Sequence, residues 1–367
     1  MENTAVKNER NMGIDLLRIF AMFTIMILHV QGRGGVFDAV KPLSVNYEVA
    51  WVLELLCWFG MTSYGIISGY VGINGKFKIS NIAYLWLQVV FYGVVVTLLF
   101  GIFQRSLVSW TAVRYAIFPV MSESYWYFSA YFGVFFLIPI IKLGFEKLER
   151  IYLDLILLFI IVFFTILPIF FPVDVFSLKL GYSFMWLLSC FYVGAYMKRF
   201  DVFSKMKTYV LVLIHFGCVF IIWLSKFLIE IYYGAEVWNR DRGNVLVIHN
   251  SIFNLLSAMC MVVFFSRIKV SGKLKTVLSK TAPLFFGIYL SNCQPLIWEN
   301  LMAGRFASYA ELPAYRMVLC VILTALIICV IGIAVDAIRY LIFELLHIRK
   351  ILTAVENYLL LCYTIEK

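Results

Sequence analysis

Apolar residues run through this chain in long blocks separated by short polar stretches. A helix needs about 20 mostly apolar residues to cross a bilayer. Ten segments meet that length: 13–31, 47–69, 81–103, 124–141, 150–171, 182–199, 208–230, 245–266, 283–303 and 314–346. At about 1.5 Å of rise per residue the last is longer than the hydrocarbon layer and should project beyond it. Residues 1–346 then form one transmembrane domain, with 347–367 as a short cytoplasmic tail. No internal repeat is visible. The first apolar run opens with Asp15 and Arg18 and has no small-x-small exit, so it reads as a retained helix rather than a cleaved leader. The predicted fold class is all-α, a polytopic membrane helix bundle of about ten transmembrane helices.

The charges orient the bundle. With the N-terminus placed inside, 19 Lys and Arg residues fall in inner segments and 9 in outer ones. The bias keeps one direction at most loop pairs, as the positive-inside rule requires of a correct helix count. Both ends are therefore expected in the cytoplasm, with the chain multi-pass in the plasma or inner membrane of a bacterial cell. Composition agrees: 63% of the 367 residues are hydrophobic and 14% charged, against roughly a quarter charged in soluble domains. The net charge of +10 comes from these scattered loop residues. No basic stripe points to nucleic acid, and the expected surroundings are lipid. Eight cysteines lie mostly inside apolar stretches without a Cys-x-x-Cys pair, so neither a metal nor a disulfide framework is expected.

The first helix carries the clearest chemistry. Arg18 and His29 are eleven residues apart, so at 100° per residue both project from nearly one face, roughly 16 Å apart along the axis. Asp15 lies one turn before Arg18 and can pair with it. Ionisable groups this deep face a wet cavity or a partner. The plainer readings are a snorkelling Arg18 and a packing His29.

Arg18, ten residues, then His29 resembles the Arg-x10-His motif of the membrane-bound acyltransferase 3 family. Leu28-His-Val-Gln-Gly-Arg-Gly-Gly35 resembles the run that follows in its polysaccharide acetyltransferases. Tyr64-Gly-Ile-Ile-Ser-Gly-Tyr70 resembles its Phe-x-x-Ser-Gly-Tyr region, and Tyr125-Trp-Tyr-Phe-Ser-Ala-Tyr131 the aromatic start of a central helix. Phe286-Gly-Ile-Tyr-Leu290 resembles the start of a late Tyr-Leu-Ile-His stretch. These matches occur in order over about residues 10–345. Two departures stand out. Asn292 occupies a place where many members carry histidine, and it cannot take a proton near neutral pH. The arginine-rich stretch after the second helix is reduced to Lys76-Phe-Lys78, whose phosphate contacts would be point charges rather than bidentate forks.

The resemblance implies an O-acetyltransferase that moves acetyl from cytoplasmic acetyl-CoA to a sugar hydroxyl of an envelope or exported polysaccharide, or of its lipid-linked precursor. His29, Arg18 and Asp15 become the expected catalytic group, with His29 as general base or transient acyl carrier. Lys76, Lys78, Ser68 and Tyr70 are expected on the acetyl-CoA side. Tyr125, Trp126, Tyr127, His249 and Asn292 are expected on the glycan side. Each has a plainer reading. Gly65 and Gly69 around Ser68 form a small-x-x-x-small packing pair. The three aromatics suit an interfacial belt. Arg240 to Asn244 and His249 to Ser251 read as a solvated outer loop. Lys226 and Glu230 read as a structural pair. Asp336, Arg339 and Glu344 read as an anchor for the last helix. From topology alone a transporter or flippase for a lipid or glycan leads. Against it, no repeat pairs broken helices in matching positions.

Overall fold

A computed structural model describes residues 10–122, 125–171, 173–234 and 246–365. Its architecture is helical, with no strand among the described residues. The principal helices are α1 (Met12–Gln31), α2 (Val45–Gly72, bent at Trp58), α3 (Ile79–Phe103), α4 (Trp126–Lys147) and α5 (Arg150–Phe170). They continue with α6 (Phe184–Arg199), α7 (Thr208–Tyr233), α8 (Ile252–Ser266), α9 (Phe285–Asn292), α10 (Ala314–Leu345) and α11 (Ile348–Ile365).

Among the described residues, seven helices are long and apolar enough to cross a membrane: α1 to α5, α7 and α10. The other three segments expected to span are shorter, at 16, 15 and 8 residues for α6, α8 and α9. Local chemistry explains each difference. Ser183 opens α6 by accepting from the Trp186 N–H, and Ser251 opens α8 by accepting from the Asn254 N–H. Both act as N-caps and fix the start of the helix. The 283–303 segment breaks after Asn292 because Pro295 lacks an N–H and disfavours helix at the residue before it. The Gln294 side chain accepts from the Leu296 and Ile297 N–H groups at 2.7 and 3.2 Å and starts a new turn. Within the expected tail, Ile348–Ile365 forms α11, whose Glu356 accepts from the Ile79 N–H and the Ser80 hydroxyl at the start of α3, each at 2.6 Å.

α1 runs through the middle of the bundle against α2, α8 and α10. α2 and α6 approach backbone to backbone. A Cβ on Gly69 would lie 1.8 Å from the Phe191 carbonyl oxygen, and one on Gly194 1.9 Å from that of Ile66. The small-x-x-x-small reading of this segment is what the structure shows.

Two charged clusters tie helices together. Arg339 and Asp336, expected to anchor α10, do so while fully buried: Arg339 Nε donates to Asp336 Oδ1 at 2.9 Å, and the Tyr92 hydroxyl of α3 donates to the same oxygen at 2.9 Å. Glu344 lies exposed one turn on. Lys226 on α7 is buried and donates to Glu48 of α2 at 2.9 Å and to Glu230 at 2.8 Å, extending the expected Lys226–Glu230 pair across two helices. The cysteines are free, and most are buried.

Candidate functional site

Asn11 caps α1 by accepting from the Gly13 and Ile14 N–H groups at 2.9 and 3.2 Å. Asp15, 1% exposed, then receives Arg10 Nε at 2.5 Å and Arg18 at 2.7 Å. The expected Asp15–Arg18 pair is therefore formed, and Arg10 joins it. A carboxylate in the first turn also suits the positive end of a helix. The Arg18 side chain stays about one-third exposed and does not reach the wall of the cavity around His29. The two are linked through Tyr64, which lines that cavity and donates its hydroxyl to the Arg18 carbonyl at 2.6 Å.

The cavity encloses about 560 Å³. Its wall includes His29, Arg33, Glu54, Tyr64, Trp126, Tyr127, Tyr182, His249, Tyr289, Trp298 and Glu299, with Met22, Ile25 and Leu28 continuing the α1 face. Pockets of this size, mostly apolar with a few converging polar groups, are the usual form of a small-molecule site.

His29 Nδ1 lies 2.6 Å from Asn292 Oδ1. An amide oxygen only accepts, so Nδ1 holds the proton and the lone pair sits on Nε2. Nε2 has no hydrogen-bond partner among the described residues. The Trp298 ring meets the imidazole edge-on, with centroids 4.8 Å apart. The break at Pro295 makes this arrangement: it ends α9 at Asn292 and turns Trp298 back toward α1. Arg33 pairs with Glu299 beside it, and both are partly exposed.

A second histidine lines the same cavity. His249 N–H donates to the Leu180 carbonyl at 3.0 Å, and its Nε2 lies 2.7 Å from the Tyr182 hydroxyl. The Trp58 ring lies against it at 4.5 Å. Its own carbonyl accepts from Asn254 at 2.8 Å. Gly181, at φ +99°, leaves room for it, since a Cβ there would fall 2.6 Å from that of His249. Lys179 and Leu180 adopt positive φ in the same turn, a conformation that side chains other than glycine adopt at a cost. His249, Asn250 and Ser251 are 5%, 1% and 0% exposed, so this stretch is packed and not a solvated loop. The neighbouring 240–244 patch lies outside the described residues.

The remaining expected site residues fall in different places. Trp126 and Tyr127 line the cavity. Tyr125 is buried behind it and donates its hydroxyl to the Leu290 carbonyl at 3.0 Å, holding α9 in place. Ser68 returns its hydroxyl to the Tyr64 carbonyl at 2.8 Å, and Tyr70 lies under the Lys198 ammonium at 5.1 Å. Lys76 and Lys78 are exposed on the loop before α3. None of these four touches the cavity. The structure adds Glu54, Tyr182, Trp298, Arg33 and Glu299, which the motif reading did not single out. A Gly-Arg-Gly-Gly turn and a lone Glu in an aliphatic helix were the available signals.

A helical membrane bundle with a histidine, held in one tautomer, facing an aromatic-walled cavity is the class of protein this geometry defines. A family model described as an acyltransferase domain matches residues 11–335. The chain belongs to the acyltransferase 3 family and is a membrane acyltransferase by that membership. No curated protein and no solved structure matches it.

Proposed function

We propose that this protein is an O-acetyltransferase that takes acetyl from acetyl-CoA and places it on a sugar hydroxyl of a cell-envelope or exported glycan, or of its lipid-linked precursor. One observation carries the reading: His29 presents Nε2 to the cavity while Asn292 holds the proton on Nδ1. In the reaction, Nε2 takes the proton of the acceptor hydroxyl as its oxygen attacks the thioester carbonyl. The C–S bond breaks, and the proton returns from Nε2 to the departing thiolate. Base, acceptor and donor are restored in charge without a metal or an outside proton. Direct transfer and a transient acyl-imidazole both use the Nε2 lone pair that this tautomer leaves free.

The positive-charge bias supports an N-in, C-in bundle of about ten spans, with α6, α8 and the broken segment 283–303 that contains α9 crossing together with the seven longer helices. Lys76, Lys78 and Arg18 then lie on the cytoplasmic side, where the phosphates of CoA arrive. The thin pantetheine arm runs up beside α1 to His29, roughly 16 Å above Arg18. Arg18 is held by Asp15 and steadies the Tyr64 wall through its carbonyl.

The test is transfer of label from radiolabelled acetyl-CoA to glycan by membranes carrying the protein. His29→Gln, which keeps a hydrogen-bonding side chain but no base, is expected to lose about 10²–10⁴-fold. Near-normal product from His29→Gln at matched protein level would remove His29 from the mechanism.

A further inference from the structure

Glu54 is a carboxylate inside the cavity with part of its hydrogen-bonding capacity unused. It is only partly covered by protein, and it lines the same space as His29. Gln31 Nε2 donates to Oε2 at 2.8 Å, and Trp58 Nε1 donates weakly to Oε1 at 3.4 Å. A carboxyl group has more hydrogen-bonding positions than these two contacts use, so Glu54 keeps some free. Gln31 is itself fully buried and comes from the last turn of α1, so the carboxylate is oriented by the helix that carries His29. The Trp58 that donates to Glu54 also lies against His249, whose Nδ1 is buried without a partner among the described residues. Trp58 thus touches both Glu54 and His249. A buried ring nitrogen such as His249 Nδ1 rarely stays unpaired, which suits this end of the cavity to a hydrogen-bonding ligand.

Charge and stoichiometry narrow the ligand. Among the described residues Glu54 is met by Gln31 and Trp58 and by no cation, so this end of the cavity offers nothing to hold the phosphates of CoA. Acetyl transfer returns its proton to the thiolate, so it needs no second proton carrier. A ligand with several adjacent O–H donors and an apolar ring face meets both needs, with Trp126 and Tyr182, 5.1 Å apart, supplying aromatic surface. Building on the proposed acetyl transfer, we propose that Glu54 is the acceptor-recognition residue of this enzyme. Its carboxylate takes hydrogen bonds from ring hydroxyls next to the one that His29 deprotonates. His249 closes the same polar patch.

The experiment uses purified full-length protein with radiolabelled acetyl-CoA and a panel of methyl hexopyranosides: glucoside, galactoside, mannoside and their monodeoxy analogues. Glu54→Gln keeps the shape and replaces half of the acceptor capacity with a donor. It is expected to raise the half-saturating concentration of the accepted glycoside about five- to hundredfold, the range for a hydrogen-bonding group left unpaired. Half-saturation by acetyl-CoA should stay within about twofold. One deoxy analogue should be poor with the native protein and lose little further in Glu54→Gln, because the two changes delete the same bond. A merely structural Glu54 would shift both substrates together and show no such coupling. Equal shifts, or losses that simply add for every analogue, overturn the assignment. So does a native protein that releases CoA from acetyl-CoA yet acetylates no glycoside of the panel. A native protein that does not turn over acetyl-CoA at all overturns the parent reading instead.

Discussion

Replacing Asn292 with alanine isolates the tautomer lock from the base itself. The hydrogen bond between His29 Nδ1 and Asn292 Oδ1 is short, at 2.6 Å, and Asn292 is 4% exposed. Alanine leaves the Nδ1–H without its acceptor in a buried place. The cost of an unsatisfied buried donor is about 1–3 kcal/mol, or roughly 5- to 150-fold in an equilibrium or rate. The imidazole can escape that cost by moving its proton to Nε2, which removes the lone pair that faces the acceptor. The expected outcome is a fall in kcat of that size, with half-saturation by acetyl-CoA and by the glycan little changed. Asn292→Asp keeps an acceptor oxygen at the same distance and is expected to retain activity within about tenfold. The assay is initial-rate acetyl transfer, with protein level and monodispersity matched by fluorescence-detected gel filtration. Wild-type kcat in Asn292→Ala would refute the positioning role. So would equal losses in the alanine and aspartate variants.

Two further outcomes follow from groups outside the cavity. Asp336→Asn leaves Arg339 buried without its carboxylate, a loss that typically costs about 3–5 kcal/mol. A clear drop in melting temperature in detergent is expected, and an unchanged melting curve would show that the cluster does not hold α3 to α10. Lys76→Ala combined with Lys78→Ala is expected to raise the acetyl-CoA concentration needed for half-maximal rate and leave the maximal rate nearly intact. Exposed lysines offer binding common to ground and transition states. A lowered maximal rate at unchanged donor dependence would contradict their placement.

The pairing in the first helix was legible because its chemistry is local, whereas the cavity was not: it takes in His29 but not Arg18. Asp15, Arg18 and His29 are set by helical spacing, and the ion pair formed as spacing required. The break at Pro295 that delivers Asn292 and Trp298 was passed over, because 283–303 is apolar enough on average to read as one span. Glu54 was not legible. In Val-Leu-Glu-Leu-Leu it looks like any stray charge, and only the bend at Trp58 and the reach of Gln31 from another helix make it a cavity residue. His249 was legible as polar but not as buried. Its burial comes from Leu180, Gly181 and Tyr182, nearly 70 positions earlier. Residues 347–367 carry apolar positions enough for a helix, yet nothing local reveals that Glu356 closes onto the start of α3. The shorter α6 and α8 reflect serine caps, which a window of average hydropathy passes over.

The glycine seam between α2 and α6 has a mechanical consequence. Where backbone rests on backbone there is no side chain to rotate out of the way, so the two helices behave as a single stiff plate. α2 forms part of the cavity wall through Glu54, Met61 and Tyr64. A chamber with one rigid side admits a bulky guest by displacing another side. The stretch after α9 has the build for it: an interrupted helix, the Arg33–Glu299 clasp, and a turn at Gly304 whose N–H holds the Arg33 carbonyl at 2.9 Å. That puts the more yielding wall on the Trp298 side, next to the edge-on ring contact with His29.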